Sequence, residues 1–389
     1  MGEEMKRRPA VSHGHGVRDV RGLDRAAWVE LAKGAVVDLV EAEFAVPHAE
    51  LEARLWERVW EEPGSGRRAS FFPHILSEAV RGLTAEEQIQ TWEHPTKGGV
   101  TTELIIPGNV DGRWTYIERV IRRKAMLYAR FLRWSKTEFG PAGEAVVRAS
   151  LTDAMHRGFV PITPGFGEVA TLGTASVRGP LDSGAWMLVN DPVARLPVPH
   201  AILFEIKNRR LTLYPRHAEV HQLLYKAAHF QQELPGQRIV PVLICRRAHK
   251  WLFWMAKDLG FIVHDTKKQY LTLPDKTDPR LLEEVRAGLA LDDLQLVSST
   301  SQPRIHNLFL EVLPAQARAV AERWAQAGST LLKHYQTMRD DRLKPWTRTE
   351  ALADLRADAA LALDAAGVPA DEQILAWALE EDTDAPEGY

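Results

Sequence analysis

Apolar and polar positions change rhythm several times along the chain. In 24–44, Trp28, Leu31, Ala35, Leu39 and Val40 recur at the three-and-four spacing that predicts one buried helix face. Asp24 stands where an N-cap belongs, with a short carboxylate that can accept a first-turn N–H. Leu51, Leu55, Trp56, Val59 and Trp60 repeat that spacing in 48–60, PGSGRR breaks it, and 71–83 resumes it. A short helix around 85–92 is then expected. Two strands should follow, TTELIIPG and RWTYIER, joined by NVDG, whose Asp111-Gly112 is a hairpin signal. A basic helix over 119–134 leads out of this region.

From 141 to 273 the pattern alternates between helices and apolar strands. Val147, Leu151 and Met155 share one side of a helix over 144–155. Strands are expected at 167–172 (GEVATL), 185–189 (AWMLV) and 201–206 (AILFEI). A helix at 219–232, a strand at 239–245 (IVPVLIC), a helix at 249–259 and a strand from Phe261 complete the segment. Beyond 303 the helical spacing returns through Leu308, Val312, Ala319, Trp324 and Leu331, and Thr347-Arg-Thr-Glu350 fits a capping box. The expected organisation is an unperiodic, disordered leader over 1–20 and a helical domain over 21–136. An α/β core over 137–275, a central mixed sheet flanked by helices, and an α-helical C-terminal region over 276–389 follow.

Composition changes this picture little. The 389 residues carry 49 Lys plus Arg against 52 Asp plus Glu, with 45% hydrophobic residues, as in ordinary soluble domains. No apolar run approaches a membrane span, and MGEEMKRRPA lacks a signal-peptide core, so a cytoplasmic protein is expected. The single cysteine, Cys245, excludes an intramolecular disulfide or a cysteine-rich zinc site, and reads as a core thiol. His249 reads as a solvent-facing loop histidine, Trp251, Phe253 and Trp254 as core or contact aromatics, and His13 and His15 as part of the leader. No G-x-x-x-x-G-K-[ST], G-x-S-x-G or H-E-x-x-H is present, so no nucleotide cofactor is encoded. Local charge is more informative. Arg119, Arg122, Arg123, Lys124, Arg130, Arg133 and Lys136 face one acid, Glu118, while the tail from Glu380 is acidic.

The segment with chemistry is AILFEIKNRR. Strand side chains alternate, so Glu205 and Lys207 share one face and Ile206 the other, toward the core. A surface ion pair would look the same in isolation. The context adds an apolar lead-in, an acid upstream and a polar-faced helix downstream.

That context resembles the PD-(D/E)XK nuclease superfamily, the restriction-endonuclease-like fold, over 137–275. The family's hairpin sets an Asp beside the E-x-K, here Glu205 and Lys207. Two acids compete for the Asp. Asp191 follows a strand in Asn190-Asp191-Pro192, but the residues after it hold three prolines. Asp182 precedes SGAWMLVN, a strand able to pair with 201–204, and PLD echoes the family's P-D. Asp182 is therefore preferred and Asp191 kept as the alternative. QLLYK places Gln222, Tyr225 and Lys226 on the next helix, and Glu144 matches an acid that the family's first helix often adds.

The resemblance implies a Mg²⁺-dependent endonuclease, with Mn²⁺ as a substitute, cutting DNA in prokaryotic defence or DNA processing. Asp182, Glu205, Asp191 or Glu144 would supply oxygen ligands, which suit Mg²⁺. Lys207 would orient or deprotonate the attacking water or stabilise charge, and Gln222 would position water or phosphate. Tyr225, Lys226, Arg122 and Arg123 would contact the nucleic-acid backbone. The order of helices and hairpin in 47–116 resembles a winged helix-turn-helix, a second DNA-contacting part. Amphipathic C-terminal helices could support a homodimer. Two other classes stay open: a non-catalytic nucleic-acid-binding protein with a degenerate nuclease fold, and a partner-binding assembly subunit.

Overall fold

A computed structural model describes residues 24–97, 99–191, 195–274, 277–298, 302–369, 375 and 377. The expected leader, with His13 and His15, and the acidic tail lie outside them. The chain divides into two units, the first from residues up to 134 plus 275–292, the second from 135–274 plus 293–383. The helical region expected over 276–389 is therefore not a body of its own. Of its described residues, 277–292 belong to the first unit and the rest to the second. Among the described residues no helix is long and apolar enough to cross a membrane.

In the first unit, α1 (Arg25–Glu43) is capped by Asp24, whose Oδ1 accepts the Ala27 N–H at 2.8 Å. It buries Trp28, Leu31, Ala35 and Val40. Then come α2 (His48–Leu55), the short pair β1 (Trp60–Glu61) and β2 (Arg68–Ala69), and α3 (Pro73–Ala85), with Pro73 in its first turn, where its missing N–H costs nothing. Next, β3 (Ile89–Pro95) pairs antiparallel with β4 (Thr101–Pro107), and α4 (Trp114–Thr137) follows. This corrects the expected hairpin. TTELII is a strand, but its partner is the stretch read as a helix, and the turn lies at 96–100, where Gly99 adopts φ 74°. RWTYIER enters α4 instead, because Ile117, Ile121 and Ala125 bury one helical face. The hairpin thus precedes a 24-residue helix and does not close the region as a wing would.

The second unit opens with α5 (Phe139–Asp153) and β5 (Phe159–Pro161). The antiparallel pair β6 (Val169–Leu172) and β7 (Ala175–Leu181) stands apart from the main sheet, so GEVATL is a strand but not a central one. Then follow β8 (Ser183–Asp191), β9 (Leu196–Leu213), α6 (Ala218–Glu233), β10 (Arg238–Ala248), α7 (Lys250–Leu259), β11 (Ile262–Asp265) and β12 (Gln269–Leu271). After α8 (Arg280–Leu289), which belongs to the first unit, β13 (Leu294–Leu296) pairs with β12. Helices α9 (Pro303–Asn307), α10 (Leu313–Gln326), α11 (Leu332–Met338) and α12 (Pro345–Ala365) complete the unit.

The central sheet has five strands in the order β11-β10-β9-β8-β5. Strand β10 runs parallel to β9 and β11, while β8 is antiparallel to β9 and β5, so the sheet is mixed. Each face is covered by helices. Leu203 and Leu243 pack with Leu223 and Leu224 of α6 and Leu252 of α7 on one side. Phe204, Ile206 and Ile244 pack with Val147 and Leu151 of α5 and Leu313 and Ala317 of α10 on the other. In α10 it is Ala317 and Ala321 that are buried, with Ala319 exposed. The expected capping box gives way to Lys344 as N-cap and Pro345 as the first helical residue. His249 is buried, not solvent-facing, and caps α7 by accepting the Trp251 N–H, while Phe253 is exposed.

Candidate active site

The site sits at the open end of the β8–β9 hairpin. Register is set where Asp191 pairs with Leu196, and the ladder runs back to Ser183 opposite Phe204. The next cross-strand neighbours are Asp182 and Glu205. Asp182 Oδ2 accepts the Ile206 N–H at 2.5 Å, so the carboxylate is held by the strand that carries the E-x-K. Asp191 stands at the opposite end of the hairpin, nine residues from Asp182, or about 30 Å along an extended strand. It is not brought to the site, which corrects the alternative reading.

Glu205 is 2% exposed, and both its oxygens are engaged. Lys207 Nζ donates to Oε1 at 2.7 Å, as expected for neighbours on one face of a strand. Lys226 Nζ donates to Oε2 at 2.8 Å and to the Pro180 carbonyl at 2.8 Å. Lys226 reaches the acid because Val220, Leu223, Leu224 and Ala227 bury one side of α6 against the sheet and carry its flank over β9. A buried ammonium bonded to Glu205 is not a surface contact for nucleic acid, so its expected role is corrected.

Glu144 lies in α5 and is paired with Arg148, one turn on, at 2.8 Å. Arg148 also donates to the Asp182 carbonyl at 3.3 Å, tying α5 to the start of β8. Asn208 ties α5 to the other strand. Its Nδ2 donates to the Phe139 and Tyr270 carbonyls at 2.7 Å each, and its Oδ1 accepts the Tyr270 N–H at 2.9 Å. Gly143 is required at that crossing, since a Cβ there would stand 2.6 Å from the Asn208 Cβ.

Electrostatics separate the two acids. Burial, then the negative charge of Glu205, pushes the Asp182 carboxyl up to about 6. Glu144 adds to the rise, while Lys207 and the Ile206 N–H oppose it only in part. Burial disfavours charge on Lys207, but Glu205 and Asp182 outweigh it, and the ammonium stands above the ordinary lysine value. The site thus holds a firmly charged lysine beside an acid short of positive charge, a pattern found at functional sites.

The remaining predicted residues divide. Gln222 lies one turn before Lys226, half-buried, and takes no part in the bonds to Asp182 and Glu205 described above. Tyr225 lies beneath Arg339, whose guanidinium carbon is 3.7 Å from the ring centroid, and stacks with His229. Its ring therefore packs within the fold, between Arg339 and His229. Arg122 and Arg123 are exposed on α4 of the first unit, with Arg122 bonded to Glu118 at 2.5 Å.

Among the described residues no three His, Cys, Asp or Glu converge as a group able to hold a metal ion. The donor chemistry nevertheless suits one hard cation: two adjacent carboxylates, one with its pKa raised by burial and then by the other's charge, would be relieved by Mg²⁺. Such an ion has to compete with the lysines on Glu205. Sequence reasoning missed Arg148 and the inward role of Lys226. Arg148 is four residues from Glu144 and could have been found as a helical ion pair. No family model, curated protein or solved structure matches this chain.

Proposed function

We propose that the chain is a Mg²⁺-dependent nuclease that hydrolyses DNA phosphodiester bonds on a restriction-endonuclease-like core. One observation carries the reading: the hairpin sets Asp182 against Glu205 with Lys207 on the same face. Asp182 and Glu205 are the residues that would hold the ion. When bound, the ion supplies neutralisation of phosphate charge and a more acidic water. Lys207, held in its charged form, donates hydrogen bonds to the attacking water or a phosphate oxygen. Its raised pKa makes it a poor general base, so charge stabilisation is its part. Arg148 holds the backbone of Asp182, and Arg122 and Arg123 offer charge to DNA phosphates.

The test is supercoiled plasmid incubated with Mg²⁺ or Mn²⁺ and with wild type or Lys207→Ala. Nicking by wild type, abolished by EDTA and reduced roughly a hundredfold or more by the substitution, supports the reading. Nicking that persists undiminished in Lys207→Ala overturns it. A second reading, a DNA-binding protein without catalysis, is favoured by the two lysines that already occupy Glu205. It expects DNA binding that ignores Mg²⁺ and survives Glu205→Ala.

A further inference from the structure

We infer that Lys226 is a built-in counter-ion that holds the divalent-cation place on Glu205 in the resting site and is displaced when the ion binds. The role stands on the proposal that Asp182 and Glu205 are the ion's ligands. Three features point to it. Lys207 already supplies the pairing expected within an E-x-K strand, at Oε1. Lys226 is a second ammonium, from a different element, on the other oxygen, Oε2. It is 8% exposed and also anchored on the Pro180 carbonyl, two residues before Asp182, so it spans the gap between the two acid-bearing segments. A hard cation held by Asp182 and Glu205 would need a Glu205 oxygen, and with Lys207 on Oε1 a buried Oε2 left with neither Lys226 nor an ion would be costly. An ammonium that fills the place until the ion arrives meets both demands. It also lowers the ion's affinity by the strength of the bond that must break.

Removing the charge while keeping the chain length should therefore tighten ion binding. Mn²⁺ titrated into the full chain and followed by electron paramagnetic resonance reads this without catalysis. Wild type should bind weakly through Asp182, with that binding lost in Asp182→Asn. Lys226→Met should bind roughly tenfold to a hundredfold more tightly, and Lys226→Arg, which keeps a cation, should not. Unchanged or weaker binding by Lys226→Met, with Asp182-dependent binding intact in wild type, overturns the role of Lys226 but leaves the metal site standing. No Mn²⁺ binding in any of them overturns both.

A measurement on unaltered protein guards against a misfolded variant. Acetylation of Lys226, followed by mass spectrometry, should rise on addition of Mg²⁺ relative to Lys124, a buried lysine of the first unit. Equal acetylation with and without Mg²⁺ contradicts displacement.

Discussion

Each unit buries a cluster of lysine and carboxylate, and the two are built differently. In the first, Lys124 donates to Glu43 at 2.8 Å and to both oxygens of Glu50, at 2.9 and 2.8 Å, while Arg54 bonds each glutamate at 2.9 Å. Two acids meet two cations, and each acid has both. Burial pushes the fully enclosed Glu50 up, whereas the neighbouring cations hold Glu43 below its ordinary value despite burial. In the second, Glu205 likewise has two cations, but Asp182 receives one backbone N–H and is pushed up to about 6. Burial of charge is common to both clusters, so it does not mark a site. What sets the second cluster apart is an acid without a bonded cation, and the proposed site rests on it.

The largest effect that could break this comparison is on stability. Lys124→Met removes the ammonium bonded to Glu43 and to both oxygens of the fully enclosed Glu50, leaving Glu50 with Arg54 on one oxygen only, and should cost about 3–5 kcal/mol in urea unfolding followed by circular dichroism. Lys207→Met should cost less, about 1–2 kcal/mol, because Glu205 keeps Lys226. Equal losses would make Lys207 a structural residue like Lys124.

Next is the pH dependence of Asp182. Its carboxyl releases a proton near 3.8 in the unfolded chain and near about 6 in the fold, so between these values the folded state binds more protons. Rising pH therefore weakens the fold across that window. Asp182→Asn, measured in EDTA, should gain up to about 3 kcal/mol over wild type above pH 6, with the gain gone below the ordinary carboxyl value. The difference between the two proteins is what must be read. His217 and His221, held neutral to about 3 by burial, bind protons in the unfolded chain first and make wild type less stable as pH falls below 6.5. A flat difference curve would mean that nearby cations already offset the burial of Asp182, as they do for Glu43.

The smallest effect concerns the exposed arginines beside the Lys124 cluster. Replacing Arg122 and Arg123 by Ala should change stability by less than about 0.5 kcal/mol. It should lower the slope of log affinity against log salt for duplex DNA by up to about 2, measured by fluorescence anisotropy. An unchanged slope removes this face of α4 from the phosphate contacts.

The hairpin register around Asp182 was legible because the prolines at 197 and 199 flank the turn, and an unbroken apolar strand fits only one way against 201–204. The E-x-K face followed from strand alternation. Lys226 was legible as a residue of the site's helix but not as a partner of Glu205, since that acid lies 21 residues away and helical spacing says nothing of where a flank points. Asn208 was missed because its partners, Phe139 and Tyr270, are distant in sequence. The hairpin of the first unit was misread because Asp111-Gly112 is a strong local signal. It was overridden by the helical burial of Ile117 and Ile121, while the true turn carries the less distinctive TKGG. The strand β5, three residues long, lies below what alternation can reveal.

The most direct test of the unneutralised acid is melting with and without a divalent ion. In calorimetric scans at pH 7, Mn²⁺ at a hundredfold excess over its dissociation constant should stabilise wild type by about 2.7 kcal/mol over EDTA. Asp182→Asn and Glu205→Gln should show no such gain, and Lys124→Met should keep it. A gain of equal size in all four proteins, or none in wild type, would contradict a cation site at Asp182 and Glu205.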